Sequence, residues 1–344
     1  MVALYFVTVV YFCMESLEKY EKQGEPDRAK KAVLWQAAIG LQKVDGLEVS
    51  EYLVETARRH IEGDITIEQA KEGLEEYYKE QTQRSTQDRT EEADKVSARI
   101  TEILAENSFW FHPEELIGIH KRLFEGIYDC AGKLRDVNIT KGQIILNGET
   151  VVYLNWQHLR KALDYDFHEE KSFDYKNLDL REKVERIAEF TTRIWQVHPF
   201  MEGNTRTTAV FIVKYLRTKG FDPNWDSFKE NSWFFRNALV RANYENFKTG
   251  IYKTNEFLMK FMGNLLLGEK NELQNRDMMI CKPKNKTHEA IICLIKEKPT
   301  ITQEEIATQI GTSIRTIKTI MKTMQDEGII KRANSKKTGR WETV

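Results

Sequence analysis

The chain of 344 residues carries 52 basic and 53 acidic side chains, a net charge of −1, with 41% hydrophobic and 31% charged residues. That length admits two or three domains and a sizeable core, and the charge balance excludes a disordered chain or a molecule-wide field drawing it to nucleic acid or membrane. Cys13, Cys130, Cys281 and Cys293 show neither metal nor disulfide spacing, which fits a reducing, cytoplasmic setting.

Residues 1–13 are almost wholly apolar, yet too short to cross a bilayer and without a basic start or a small-residue cleavage site. We expect no membrane contact and read them as a non-native start extension ahead of Met14. Residues 14–80 read as a helical module with breaks at Asp45-Gly46-Leu47 and Glu62-Gly63-Asp64-Ile65-Thr66, the second ending in a helix capped by Asp64 or Thr66. Polar residues 81–90 read as a linker. Helical spacing returns at Val96, Ile100, Ile103 and Leu104, and Pro113 opens a helix carrying Leu116, Ile119, His120 and Leu123. Further on, Asn147-Gly148 between two β-branched runs signals a two-residue hairpin, whose free edge could pair with an extended peptide.

Next comes Val197-His198-Pro199-Phe200-Met201-Glu202-Gly203-Asn204-Thr205-Arg206. In the preceding helix Val184, Ile187, Phe190, Ile194 and Val197 recur on one face, and Pro199 ends it. A second helix follows through Ala209, Val210, Ile212, Val213 and Leu216 and closes at Gly220. Gly203, Asn204 and Thr205 thus reach a helix N-terminus, where free N–H groups and the helix dipole favour a phosphate. Arg206 adds a fixed charge, Glu202 a hard oxygen suited to Mg²⁺, and His198 a base that titrates near neutrality. Base, metal ligand, anion cradle and arginine within nine residues form the inventory of phosphoryl or nucleotidyl transfer.

This string resembles the signature of Fic-domain proteins, His-Pro-Phe-x-(Asp/Glu)-Gly-Asn-(Gly/Lys)-Arg. The resemblance covers residues 91–268 and implies a mainly α fold, a helical core with one β-hairpin flap. It implies a protein adenylyltransferase moving AMP from ATP to a Tyr, Thr or Ser hydroxyl of a target protein, with Mg²⁺. His198 would be the catalytic base, Glu202 the metal ligand, and Phe200, Gly203, Asn204, Thr205 and Arg206 the phosphate and nucleotide contacts. The resemblance assigns Ile144, Ile145 and Leu146 of the flap to the target segment. It also places Asn243 and Tyr244, after the aromatic-led helix from Trp233, in the wall of the base pocket. A homo-oligomer stays open.

The 14–80 module is similar to the small helical antitoxins of Fic proteins, which insert a glutamate from a Ser/Thr-x-x-x-Glu-(Gly/Asn) motif into the nucleotide site. Its match is Leu41-Gln42-Lys43-Val44-Asp45-Gly46, with Leu41 for the hydroxyl residue and Asp45 for the glutamate, so Asp45 is the inhibitory candidate. Thr205 stands where glycine or lysine is usual. Ala209 stands where members commonly carry a second arginine that holds the γ-phosphate and pairs with that glutamate. We therefore expect the inhibitory ion pair to have lost both ends: either regulation differs, or the donor nucleotide does, or activity is weak.

Residues 269–286, charged and without apolar periodicity, read as a second linker. In residues 287–344, Ala290, Ile291, Leu294 and Ile295 line one helix, Thr302 and Glu305 frame the start of another, and Gly311-Thr312-Ser313 turns into a third. With the basic tip that follows, this resembles a winged helix-turn-helix. From Lys282 onward 13 basic and 7 acidic residues leave +6, and Arg315, Lys318, Lys322, Lys336, Lys337 and Arg340 are the expected DNA contacts, chiefly to phosphates. The competing reading is therefore a DNA-binding transcriptional regulator whose Fic core senses a nucleotide or uses another phosphate donor.

Overall fold

A computed structural model describes residues 26–80, 89–280, 298–333 and 339–343, with His288, Ile291, Ile292, Leu294 and Ile295. The expected start extension lies outside the described residues, as do residues 81–88 of the first linker and Lys336 and Lys337. The protein is mainly α and divides into two compact units, residues 1–279 and 280–344.

Among its described residues the first unit contains α1 (Pro26–Gln42), α2 (Glu51–Glu62), α3 (Ile67–Glu80), α4 (Thr90–Ala105), α5 (Pro113–Phe124), α6 (Leu159–Ser172), α7 (Leu180–Val197), α8 (Asn204–Thr218), α9 (Asp226–Asn243) and α10 (Glu256–Leu266). Local chemistry sets the boundaries. Thr66 rather than Asp64 starts α3: its Oγ1 accepts from Gln69 N at 3.2 Å while Gln69 Oε1 accepts from Thr66 N at 2.9 Å. Asp179 and Glu182 form the same reciprocal cap on α7.

Ala32, Trp35, Ala37, Ala38, Ile39 and Leu41 are all buried, so α1 is enclosed between α4 and α9 rather than laid on the surface. Gly40 permits the close approach, since a Cβ there would meet Lys229 Cα and Phe228 O at 2.7 Å. Asp94 of α4, fully buried, accepts from Ser50 N at 2.9 Å, Ser50 Oγ at 2.5 Å and the Tyr78 hydroxyl at 2.5 Å. Those bonds tie the segments beside α2 and α3 to the core. Residues 269–278, expected as linker, stay on this unit: Met278 is buried and Asn237 Nδ2 donates to Asn275 Oδ1 at 2.8 Å. Asparagine pairs carry that packing, so no apolar period announces it.

The flap also differs from expectation. Asn147 (φ 52°) and Gly148 (φ 85°) adopt the left-handed turn that the dipeptide predicts. Residues Ile144–Leu146, however, wind into a 3-10 turn, and the pairing described for this loop is a single bridge, Gly142 to Thr150. The cause is burial of consecutive side chains: Ile145 is 3% and Leu146 0% exposed, and a strand cannot turn two successive residues to one face.

In the second unit, α11 (Gln303–Ile310) and α12 (Ile314–Asp326) precede an antiparallel pair, β1 (Ile330–Ala333) and β2 (Arg340–Thr343), with Arg332 opposite Trp341. Ile291, Ile295, Ile306, Ile317, Met321, Met324, Ile330 and Trp341 form its core. The cap of Thr302 and Glu305 is present as the spacing predicts. Among the described residues no helix is long and apolar enough to cross a membrane.

Candidate active site

The backbone of α7 ends at His198 in a left-handed conformation (φ 48°, ψ 60°). Pro199 disfavours helical geometry at the preceding residue, and such a conformation at a histidine persists only where its surroundings hold it. Here Trp195 O accepts both the His198 backbone N–H and the ring Nδ1, each at 3.1 Å. A carbonyl can only accept, so Nδ1 carries the proton and Nε2 is the basic nitrogen. The ring is 4% exposed and lies 4.2 Å from that of Tyr153. Burial, then the charge of Lys141, holds its pKa well below the ordinary histidine value, so it is neutral at pH 7. Arg135 fixes the turn from below, its Nε donating to His198 O at 2.8 Å and its backbone N to Pro199 O at 2.9 Å.

The loop that follows is held from within. Phe200 stacks on His120 at 3.7 Å. His120 Nδ1 accepts from Gly132 N at 2.9 Å, so its Nε2 carries the proton and donates to Glu202 O at 3.1 Å. Burial lowers the His120 pKa to about 4, in keeping with a neutral ring. Asn204 closes the loop, accepting from Phe200 N at 3.0 Å and donating to Phe200 O at 2.8 Å. Gly203 has φ 72°, and a Cβ on it would lie 2.3 Å from the Phe124 ring. Thr205 Oγ1 accepts from Trp195 Nε1 at 3.0 Å. Glu202 Oε2, on a half-exposed side chain, accepts from Lys141 Nζ at 2.9 Å, and the same ammonium donates to Met201 O at 3.1 Å.

His198, Glu202, Gly203, Asn204 and Thr205 line one cleft together with Lys141, Tyr153, Trp195, Asp45 from the turn after α1, and Arg236 from α9. Its free volume of about 20 Å³ holds roughly one water. A nucleotide therefore enters only after side chains rearrange. Roomier hollows of about 460 and 320 Å³ lie along α4 among alternating acidic and basic side chains, and contain none of this reactive set.

Arg206 is fully buried beside the cleft and engaged on every side. Its Nη1 donates to Gln42 Oε1 at 2.9 Å and its Nη2 to Glu92 Oε1 at 2.6 Å. Its Nε lies 2.8 Å from Asp45 Oδ2, in an ion pair out of line for a hydrogen bond. Position 209 carries no guanidinium, as expected, but Asp45 still meets an arginine, the motif's own Arg206. Burial alone would raise the Glu92 pKa, but Arg89 and Arg206 overcome it and hold the carboxylate charged.

Residues 110–216 match the Fic/DOC family model, and residues 284–331 the winged helix-turn-helix DNA-binding model. The chain carries a Fic/DOC domain. It is 28% identical over 137 residues to the protein adenylyltransferase VbhT of Bartonella schoenbuchensis, covering 40% of this chain and 26% of that protein. It is 27% identical over 118 residues to the probable protein adenylyltransferase Fic of Escherichia coli, covering 33% of this chain and 54% of that one. The aligned part thus spans about a quarter to a half of those relatives. A crystal structure of a Fic family protein from Desulfovibrio desulfuricans aligns with a TM-score of 0.47 at 13% identity, covering 98% of this chain and 95% of that one.

Several predicted residues stand elsewhere than in the cleft. Phe200 is loop packing. Asn243 Nδ2 donates to Leu239 O at 3.0 Å and Thr192 O at 3.3 Å inside the core, and the Tyr244 hydroxyl holds Glu149 of the flap, so neither walls the cleft. Ile145 and Leu146 are core residues, leaving Ile144, 73% exposed, and Val152, 80% exposed, as the flap's apolar surface. Sequence reasoning missed Lys141, Tyr153, His120, Arg135 and Arg236. Arg236 had a signal, one residue past the aromatic run Trp233-Phe234-Phe235; the others act through contacts across the fold. In the winged unit Arg315, Lys318, Lys322 and Arg340 are exposed, and the first three recur at helical spacing along α12.

Proposed function

We propose that this chain is a protein adenylyltransferase that moves AMP from ATP to a Tyr, Thr or Ser hydroxyl of a target protein. The observation that carries the reading is a neutral His198, its Nδ1 tied to Trp195 O and its Nε2 unprotonated, sharing one cleft with Glu202 and the N-terminal residues of α8. His198 Nε2 takes the hydroxyl proton. The freed oxygen bonds to the α-phosphorus as the bond to the bridging oxygen breaks, and pyrophosphate leaves. Free N–H groups at the start of α8 face the charge that develops on the phosphate. Exposed Ile144 and Val152, flanking the Gly142–Thr150 bridge, suit contact with the target segment.

A cation fits beside Glu202, because the Lys141 ammonium already stands 2.9 Å from its carboxylate. Among the described residues no group of three or more His, Cys, Asp or Glu surrounds a metal position. Mg²⁺ would therefore be held by Glu202 with the nucleotide's own oxygens, the sparse protein coordination it accepts, and would neutralise phosphate charge there. Asp45 acts as the inhibitory residue in this reading, through its pairing with Arg206 at the closed cleft.

The test is transfer of label from ATP to protein. His198→Ala is expected to lower it by about 100-fold or more, the usual loss for a group acting in the transition state; unchanged transfer removes His198 from the chemistry. The second reading, a DNA-binding regulator with a nucleotide-sensing core, is favoured by the winged-helix match and the exposed Arg315, Lys318 and Lys322. Label from none of the four ribonucleoside triphosphates, with nucleotide binding retained, selects it.

A further inference from the structure

Ala209 is fully buried and carries no guanidinium, so that position offers a phosphate no charge. A second guanidinium comes instead from another element. Arg236, on α9, lines the cleft with His198, Gly203, Asn204 and Thr205. Among the described residues it makes no hydrogen bond or ion pair, and its guanidinium rests over the Trp233 ring at 5.0 Å. Burial disfavours its charge, and the acidic group that offsets this is Asp45. The Asp45 carboxylate thus pairs with Arg206 and shares the cleft with Arg236. The two arginines are not equivalent. Arg206 keeps Glu92 and Gln42 if Asp45 withdraws, whereas Arg236, already without a direct partner, loses the nearby negative charge that offsets its burial. Such a charge is costly unless an anion replaces the carboxylate.

We infer that Arg236 is a phosphate-binding residue of this cleft, taking the polyphosphate chain of a nucleotide, and that the Asp45 carboxylate occupies the place of that anion in the closed form. The inference rests on the nucleotidyl-transfer reading and deepens it. Two guanidiniums, the Lys141 ammonium and a helix N-terminus suit a chain of phosphates better than a monophosphate. Arg236 thus makes the site select a triphosphate, and Asp45 competes with that ligand for the same cation.

Titration calorimetry on the full chain tests this with ATP, AMP and inorganic tripolyphosphate as probes. Arg236→Met is expected to weaken ATP and tripolyphosphate about tenfold or more, the worth of a charged hydrogen bond, while AMP binding stays within about twofold. Arg236→Lys recovers part of the loss. Asp45→Asn tightens ATP, and Asp45→Asn with Arg236→Met loses most of that gain, a comparison that holds even if one single variant is destabilised. Equal ATP affinity with and without Arg236, or equal weakening of ATP and AMP, overturns the inference and leaves the enzyme reading standing. Absence of ATP and tripolyphosphate binding in both the natural chain and Asp45→Asn overturns the two together.

Discussion

Thr205 shows how a departure in the motif is absorbed by its surroundings. Where glycine or lysine is usual, its hydroxyl accepts the Trp195 indole N–H at 3.0 Å, and Trp195 in turn supplies the carbonyl that fixes the His198 tautomer. Thr205→Val keeps the shape and strands the buried indole N–H, which costs about 1–3 kcal/mol. Urea denaturation should show a loss in that range, and an unchanged midpoint would remove the bond from the account of this site. The types and spacing of His198, Glu202, Gly203 and Asn204 were enough to place them in one cleft. Arg206 was legible as a charge but not as a buried hub, because its partners Gln42, Asp45 and Glu92 are remote in the chain. His120 and Tyr153 were illegible for the same reason, since only folding brings their rings against Phe200 and His198.

At the scale of elements, short-range chemistry was readable and long-range packing was not. The caps at Thr66 and Thr302 lie where residue types three apart place them. The flap was misjudged because burial of both Ile145 and Leu146 overrides the strand signal around Asn147-Gly148. The 14–80 stretch reads as a separable module, yet α1 with Trp35 and Leu41 sits inside the first unit. Removing it would expose the core between α4 and α9, so truncation tests folding rather than inhibition. Asp45→Asn is the cleaner experiment: it keeps α1 in place and weakens the hold on Arg206. Label transfer from ATP should rise severalfold with little change in thermal midpoint, while transfer equal to or below that of the natural chain would make the pair purely structural.

For the whole molecule, a net charge of −1 conceals a basic C-terminal part at +6. If α12 meets DNA phosphates, replacing Arg315, Lys318 and Lys322 with alanine should flatten the plot of log affinity against log salt by roughly one unit for each phosphate no longer neutralised. A slope that does not change turns this unit toward a protein partner. Charge that is kept out of the first unit acts on stability. His60 is lowered to about 4 by burial and then by Lys31, His120 is lowered to about 4 by burial, and His198 is lowered in the same direction. In the unfolded chain these rings titrate near 6.5. Between the two values the unfolded state binds more protons than the native one, so stability is fully present above about pH 6.5 and falls as the pH drops toward 4, by about 1.4 kcal/mol per unit for each histidine. Asp166 and Glu115, raised by burial, oppose this trend in the acidic part of the window. Urea midpoints should therefore decline from pH 7 to pH 5, and His120→Gln should show a shallower decline. A flat profile would mean that the rings charge without cost, which the enclosure of His120 between Phe124 and Phe200 forbids.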